Sequence, residues 1–409
     1  MDSLELEAAI ALLLEKSTRC TVTEKVSLLD AMGRICAEDI VASFHMPPFD
    51  RSPLDGFTFL AQATESASPE NPALFTIASE VCAGDLYAKE VHPGEAVRIM
   101  TGAPIPSGCD CVVRQEDVIV ENGQLKVFQK LRHHQNYVFA GEDIKKGNVL
   151  IHQGEVLHAA HLGTLASMGY AVVPVYKKPR IAICSTGDEL LDVGQSLSAG
   201  KIYNSNLYTL AARLKELGFE PLVLGIAGDD PVVVAGVIQK YISEVDLFLT
   251  TGGVSVGKKD IMHQVIPCLQ AERLFWGVSM KPGTPVLAYL CGEKLGVALS
   301  GNPFAALATF ELLVRPVLAK MAGDPGKSYR RILAQLEDDF PKDSKNRRFI
   351  RARFQDGKIF LPGANHSSGS LFSAVNCNAL IDIPRGSKAL QKGMQVNAVI
   401  LWDENQRQI

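Results

Sequence analysis

The chain reads as a multidomain protein of the α/β plus β class, with a doubly wound parallel-sheet domain, a mostly β module before it and a small β domain at its end. Three observations predict this. Between Pro179 and Gly323 apolar strand runs alternate with helical stretches, while between Pro47 and Gly141 short apolar runs are broken by Gly, Pro, Asn and Asp. After Asp324-Pro-Gly-Lys327, a linker, only short strand-like runs remain. The 409 residues also exceed what one ordinary core fills, which requires several domains of ~100–150 residues each.

The elements follow in order. Leu4, Ala8, Ile10, Ala11 and Leu14 recur at helical spacing, so Leu4 to Leu14 is an amphipathic helix that needs a partner, and Arg19 to Val22 leaves it extended. Ala73 to Ile77, Glu95 to Ile99 and Cys109 to Val113 are strands of the β module. His158 to Met168 is helical, with Gly169 as its stop. Arg180 to Cys184 is a buried strand, Asn204 caps a helix ending near Leu217-Gly218, and Pro221 to Gly225 is a second strand. A helix starts after Asp230-Pro231, and Asp246 to Leu249 supplies a third strand, giving βαβαβ and right-handed crossovers. Leu274 to Met280 and Leu295 to Leu299 extend the sheet, and Phe304 to Met321 is one long helix. The tail contributes strands at Arg330 to Leu336, Arg347 to Phe354, Ala379 to Ile383 and Val396 to Leu401.

Composition excludes several classes. With 47% hydrophobic residues, 21% charged residues and a net charge of −4, neither a disordered chain nor a broad nucleic-acid-binding surface fits. The first residues are acidic where a secretory signal is basic, and no apolar run reaches the ~18–20 residues that span a bilayer. The expectation is a cytoplasmic protein with no membrane and no nucleic acid among its partners. Nine scattered cysteines do not form a secreted disulfide framework. Cys109-Asp-Cys111 lacks a second pair and reads as packed thiols rather than zinc ligands, His133-His134 as a solvated loop and Trp276 as core.

The chemistry belongs at the strand ends. In an open α/β sheet, ligands collect beyond the carboxyl ends of the strands, where loop amides and helix starts converge. Strand one exits into Ser185-Thr-Gly-Asp-Glu189, strand two into Ala227-Gly-Asp-Asp230, and strand three into Thr250-Thr-Gly-Gly-Val-Ser-Val-Gly257, with Asp260 beyond. Glycines let the backbone approach an anion, and Thr250, Thr251 and Ser255 add hydroxyls. The carboxylates Glu189, Asp229 and Asp260 would repel that anion unless a divalent cation lies between, and hard oxygen donors suit Mg2+. Taken singly, each loop is more often a tight packing turn or a helix cap than a binding loop; three in succession favour a site. Lys281-Pro-Gly-Thr-Pro285 and Ser300-Gly-Asn-Pro303 are further elbows at strand ends, and Lys281 can hold a compact charge over an oxyanion.

Eight motifs together carry a resemblance: Pro48-Phe-Asp-Arg-Ser-Pro-Leu-Asp-Gly56, Arg98-Ile-Met-Thr-Gly-Ala-Pro-Ile-Pro106, Gly141-Glu-Asp-Ile144, Ser185-Thr-Gly-Asp-Glu-Leu190, Gly225-Ile-Ala-Gly-Asp-Asp-Pro231, Thr251-Gly-Gly-Val-Ser-Val-Gly257, Lys281-Pro-Gly283 and Gly301-Asn-Pro303. In this order, and over most of the chain, they resemble the molybdopterin molybdenumtransferase family, MoeA-like, which includes the E domains of gephyrin-type proteins. The resemblance implies a homodimeric enzyme that inserts molybdenum from molybdate into adenylylated molybdopterin, cleaving the phosphoanhydride with Mg2+ and releasing AMP and molybdenum cofactor. It also implies contact with the upstream molybdopterin adenylyltransferase. The implied plan is an N-terminal helix (1–22) on the α/β domain (178–325), a discontinuous linker domain (23–41 and 147–177), a projecting mostly β domain (42–146) and a C-terminal small β-barrel (326–409).

The same resemblance implies roles for residues. Glu189, Asp229 and Asp260 would surround Mg2+ and the adenylyl phosphates, and Asp55, Thr101 and Asp143 would come from the second subunit. Ser185, Thr186, Gly187, Thr251, Gly252, Gly253, Ser255, Gly257, Gly301, Asn302 and Pro303 would bind pyrophosphate or pterin, while Lys281, Arg351 and Ser370 would hold molybdate. Either a water or a molybdate oxygen is the nucleophile. Departures from the family pattern are Thr284 and Gly277 for lysines, Ser300 for proline, Ala305 for serine, and Tyr137-Val-Phe-Ala140 for a basic run. They remove positive charge and hydroxyls from the oxyanion side, so a pterin-binding scaffold with weak insertion activity is the alternative. An adenylyltransferase is a third reading, against which the extra β domains count.

Overall fold

The computed structural model describes residues 3–255, 260–363 and 366–402 and divides into two compact units, Glu24–Val175 and Met1–Thr23 with Tyr176–Ile409. Helix α1 (Leu6–Lys16) opens the chain in the larger unit, burying Leu6, Ala9 and Leu13.

The smaller unit begins with β1 (Thr23–Ser27) and β2 (Ile40–Val41), then β3 (Gly56–Phe59), β4 (Ala73–Val81), β5 (Glu95–Ile99), β6 (Cys111–Arg114), β7 (Val118–Glu121) and β8 (Gln124–Val127). The last six form one sheet in the order β6-β3-β5-β4-β8-β7. After it come β9 (Val149–Ile151), which pairs with β2, helix α2 (Ala159–Ser167) and β10 (Val172–Tyr176), which pairs with β1. Alternation along the strands feeds two cores: Phe57, Phe59, Cys111 and Val113 enter one, while Val97, Ile99 and Val112 enter the other. Cys111 lies in the first core and Cys109 packs against the second. Burial pushes the thiol pKa of both upward. None of the nine cysteines is in a disulfide.

The larger unit carries the α/β layer: β11 (Ile181–Ser185), β12 (Leu190–Leu191), β13 (Ile202–Tyr203), α3 (Ser205–Glu216), β14 (Leu222–Ile226), α4 (Pro231–Tyr241), β15 (Leu247–Thr251), α5 (Met262–Cys268), β16 (Glu272–Trp276), β17 (Leu287–Cys291), β18 (Lys294–Leu299), α6 (Pro303–Thr309) and α7 (Arg315–Ala322). Asn204 caps α3 by accepting from the Leu207 amide, and Asp230 with Pro231 starts α4 as the sequence predicts. The main sheet runs β14-β11-β15-β18-β17-β16. It is doubly wound because neighbouring strand residues face opposite sides. Ile181 and Ile183 meet α1, α3, α6 and α7, whereas Ala182 and Cys184 meet α4 and α5.

Two details differ from the sequence reading. The sheet is mixed: β14, β11, β15 and β18 are parallel, but β17, which the reading passed over, pairs antiparallel with both β18 and β16. The two-residue link Gly292-Glu293 forces the β17–β18 pairing, since so short a turn can join only antiparallel strands. The predicted long helix is also interrupted, by a π-helical turn at Phe310–Val314 between α6 and α7.

The tail is a closed barrel of β19 (Arg330–Leu336), β20 (Arg348–Gln355), β21 (Lys358–Phe360), β22 (Ala379–Ile383) and β23 (Gln395–Ile400), in the order β19-β21-β20-β22-β23. Ile350, Ile381 and Ala398 fill it, while their neighbours Phe349, Leu380 and Val399 join the α/β core. Among the described residues no helix is long and apolar enough to cross a membrane.

Candidate active site

Parallel pairing brings the carboxyl ends of β14, β11, β15 and β18 side by side. The hydroxyls expected to bind ligand there are largely engaged with each other. Ser185 Oγ lies 3.0 Å from Asn204 Oδ1 and 2.9 Å from Thr251 Oγ1, and Thr186 Oγ1 donates to the Thr251 carbonyl at 3.3 Å. All three side chains are buried, as is Thr250, so they shape the loops, and exposed Ser255 is the hydroxyl left towards solvent. Gly252 has φ +95°, and a Cβ there would lie 2.3 Å from the Thr186 carbonyl oxygen; only glycine lets the two loops approach so closely. Gly301 in turn sits against Gly252, 3.6 Å from where its own Cβ would be, and Asn206 Nδ2 donates to its carbonyl at 2.8 Å. Gly257 lies outside the described residues.

The carboxylates take different positions. Glu189 is exposed and folds back over Gly187, whose Cβ would stand 2.8 Å from Oε1. Asp229 accepts from the Asp188 amide at 3.2 Å while its own amide donates to Asp188 Oδ1 at 3.1 Å, which ties the loops after β11 and β14 together. Asp260, before α5, has a buried Oδ2 without a hydrogen-bond partner. Beside it His263 meets the Trp276 ring edge-on at 4.2 Å, and Trp276 Nε1 donates to the Val254 carbonyl at 3.1 Å. Trp276 is therefore half-buried and braces the glycine loop, rather than being plain core. Among the described residues no three His, Cys, Asp or Glu side chains form a group that could hold a metal ion by themselves. The donor set still fits Mg2+, which is usually held by one or two carboxylates with the rest of its shell from water and phosphate, and the orphaned Asp260 Oδ2 is such a donor.

A cavity of about 350 Å3 lies between the β18 exit and the barrel, lined by Lys281, Ser300, Asn302, Arg348, Arg351 and His366 among others. Arg351 is 1% exposed, yet its partners are uncharged: Ser370 O, Ser373 Oγ and, at 2.6 Å, Ser367 O. Its guanidinium carbon lies 3.5 Å from the centroid of the Phe304 ring. Burial pushes the Arg351 pKa down to about 10, so it stays charged at neutral pH. Its Nε has no partner. Ser370 acts through its carbonyl, while its hydroxyl lies 3.4 Å from Ser373 Oγ; Ser368 lines the cavity instead and accepts from the Phe304 amide just inside Pro303. Ala305 lines the wall without a hydroxyl, and Thr284 turns its own to the Met280 carbonyl.

In the smaller unit Asp55 and Thr101 meet, the Thr101 amide and hydroxyl both donating to Asp55 Oδ1 at 2.7 Å. These bonds, with the nearby Arg98 charge, hold the Asp55 carboxyl below its usual range. Asp143 is exposed on the next loop, its amide donating to Met46 O at 3.1 Å. His133 and His134 meet tilted at 35° with centroids 3.7 Å apart, and His133 Nδ1 lies 2.7 Å from Asp110 Oδ2.

Asp188, Arg348, His366 and Ser368 escaped the sequence reading. Asp188 stood inside a motif already quoted and Arg348 inside the basic run Arg347-Arg-Phe-Ile-Arg351; His366 and Ser368 sit in a barrel segment, and only folding brings them to Lys281.

Comparison with known proteins places these features. The MoeA N-terminal region (domain I and II) matches residues 4–169, a probable molybdopterin binding domain matches 182–320, and the MoeA C-terminal region (domain IV) matches 334–401. The molybdopterin molybdenumtransferase of Bacillus subtilis (strain 168) is 38% identical over 390 residues, covering 94% of this chain and 91% of the relative. That of Staphylococcus epidermidis (strain ATCC 12228 / FDA PCI 1200) is 36% identical over 383 residues, with 93% and 91% covered. Two solved structures of molybdopterin biosynthesis MoeA protein superpose over 98% of this chain and all of theirs: one from Pyrococcus horikosii with TM-score 0.87 at 29% identity, and one from Pyrococcus horikoshii OT3 with 0.79 at 33%. With the Gly252 turn, the acidic strand ends and the Arg351 cavity in place across a full-length match, this chain belongs to the molybdopterin molybdenumtransferase (MoeA) family.

Proposed function

We propose that the chain inserts molybdenum from molybdate into adenylylated molybdopterin, releasing AMP and molybdenum cofactor. The observation that carries this is the cationic Arg351 cavity beside the Ser300-Gly301-Asn302 elbow that packs on the Gly252 turn, which suits a dianionic oxometalate next to a phosphate-bearing ligand. Lys281 and Arg351 Nε supply charge-assisted donors to the oxyanion, and Phe304 shields the guanidinium from water. The Gly252-Gly253 backbone and Ser255 receive the phosphates or the pterin, with Gly301 and Asn302 as the facing wall. Asp260, with Glu189 and Asp229, would hold Mg2+, which supplies Lewis-acid neutralisation of phosphate charge when bound. The active form in this reading is a cytoplasmic homodimer, in which Asp55, Thr101 and Asp143 of a second copy complete the site, and the upstream adenylyltransferase delivers the pterin.

The test is turnover with adenylylated molybdopterin, molybdate and Mg2+. Asp260→Ala should abolish Mg2+-dependent AMP release without loss of fold, and unchanged release removes the metal assignment. A scaffold with weak insertion is the second reading, favoured by Ala305 and the turned-away Thr284 hydroxyl. Tight pterin binding by the wild type without AMP release would select it.

A further inference from the structure

Building on the reading of the Arg351 cavity as the oxyanion site, we propose that His366 couples anion binding to proton uptake, its imidazole becoming a charged donor only when the dianion arrives. His366 lines the same cavity as Arg351 and Lys281, and its Nδ1 is buried without a hydrogen-bond partner, as is Arg351 Nε. Two unsatisfied buried nitrogens on residues that line one cavity are costly unless a ligand or a small rearrangement satisfies them. Phe340 holds the imidazole, the rings meeting edge-on with centroids 5.9 Å apart.

The surrounding charges set the sign. Arg348 and Arg351 on β20 and Lys342 before it act on the ring, Lys281 lines the cavity from the α/β side, and among the described residues no carboxylate lines it. Burial and these cations push the His366 pKa below its ordinary value, so the ring is neutral at pH 7. A bound dianion reverses the local field and favours the imidazolium, which can then donate to an anion oxygen. The proton comes from solvent and binds Nδ1 or the opposite ring nitrogen; no bond in the anion changes. Because the bound form holds more protons than the free form, affinity must fall as pH rises between the free and bound pKa values, by up to about tenfold per pH unit. Arginine and lysine cannot give this dependence, since they stay charged throughout that range.

The experiment is calorimetric titration of molybdate into the full-length protein from about pH 6 to about pH 8, in two buffers of different ionisation enthalpy so that protons are counted. The wild type should take up a fraction of a proton approaching one and weaken as pH rises. His366→Gln, which keeps a neutral donor of similar reach, should bind with no proton uptake and a flat profile, and His366→Ala should be flat and weaker. A flat wild-type profile, or a His366→Gln profile with the wild-type slope, overturns the proposal while leaving the oxyanion site standing. Failure of the wild type to bind molybdate at any pH overturns the cavity assignment itself.

Discussion

Replacing Arg351 by Met separates anion recognition from folding. Methionine keeps a flexible apolar side chain against Phe304, so the substitution removes the charge and its donors with little loss of volume. Two effects oppose each other in stability. The carbonyls of Ser367 and Ser370 lose their donor, at about 1–3 kcal/mol each where they stay dry, while a guanidinium held without a carboxylate partner no longer has to be buried. The net should be about 1–2 kcal/mol, or a fall in melting temperature of about 2–8 °C. Affinity has no such compensation, because the cavity wall loses its buried cation and the unpartnered Nε donor with it. Loss of one charge-assisted hydrogen bond, worth about 1.5–3 kcal/mol, lowers molybdate affinity roughly 10- to 150-fold. Calorimetry with molybdate gives the affinity, and thermal unfolding gives the stability. An affinity within about twofold of wild type in a folded variant refutes the reasoning, as does a collapse of stability that accounts for the whole loss.

Further expectations follow from the same geometry. Glu311, fully buried in the π-helical turn, bonds Arg315 Nη1 at 3.0 Å and also pairs with Arg213, and both arginines donate to Leu401 O. Glu311→Ala takes the carboxylate from buried Arg315 and leaves Arg213 only the Glu216 carboxylate, at 2.8 Å, and should cost about 3–5 kcal/mol, lowering the melting temperature by about 6–20 °C; a change of under 1 °C contradicts the network. The Asp55 carboxyl is depressed by its Thr101 bonds, so the contact is complete above the unfolded carboxylate pKa and is lost as pH falls through the lower folded value. The Thr101 amide resonance should therefore titrate below the ordinary aspartate range, and Thr101→Val should move that midpoint up; an unshifted midpoint rules the contact out.

The doubly wound layer was legible because its signals are local. Apolar runs such as Ile181 to Cys184, the Asn204 cap and the Asp230-Pro231 start each follow from dihedral preference and short-range hydrogen bonding. Glu189, Asp229 and Asp260 could be named because they stand next to strand ends in sequence as well as in space. What the sequence did not contain was the use of each polar atom. Ser185, Thr186 and Thr251 look like ligand donors in a motif, yet the close loop approach that Gly252 permits turns their hydroxyls on one another. The antiparallel extension of the sheet depended on a two-residue link whose neighbours read as ordinary apolar runs. His366 and Arg348 reach Lys281 only because β20 pairs within a closed barrel whose outward residues pack into the α/β core. Local chemistry thus determined the elements and the acidic edge, whereas burial, which depends on contacts between residues far apart in the chain, decided which nitrogen and oxygen atoms remain open to a ligand.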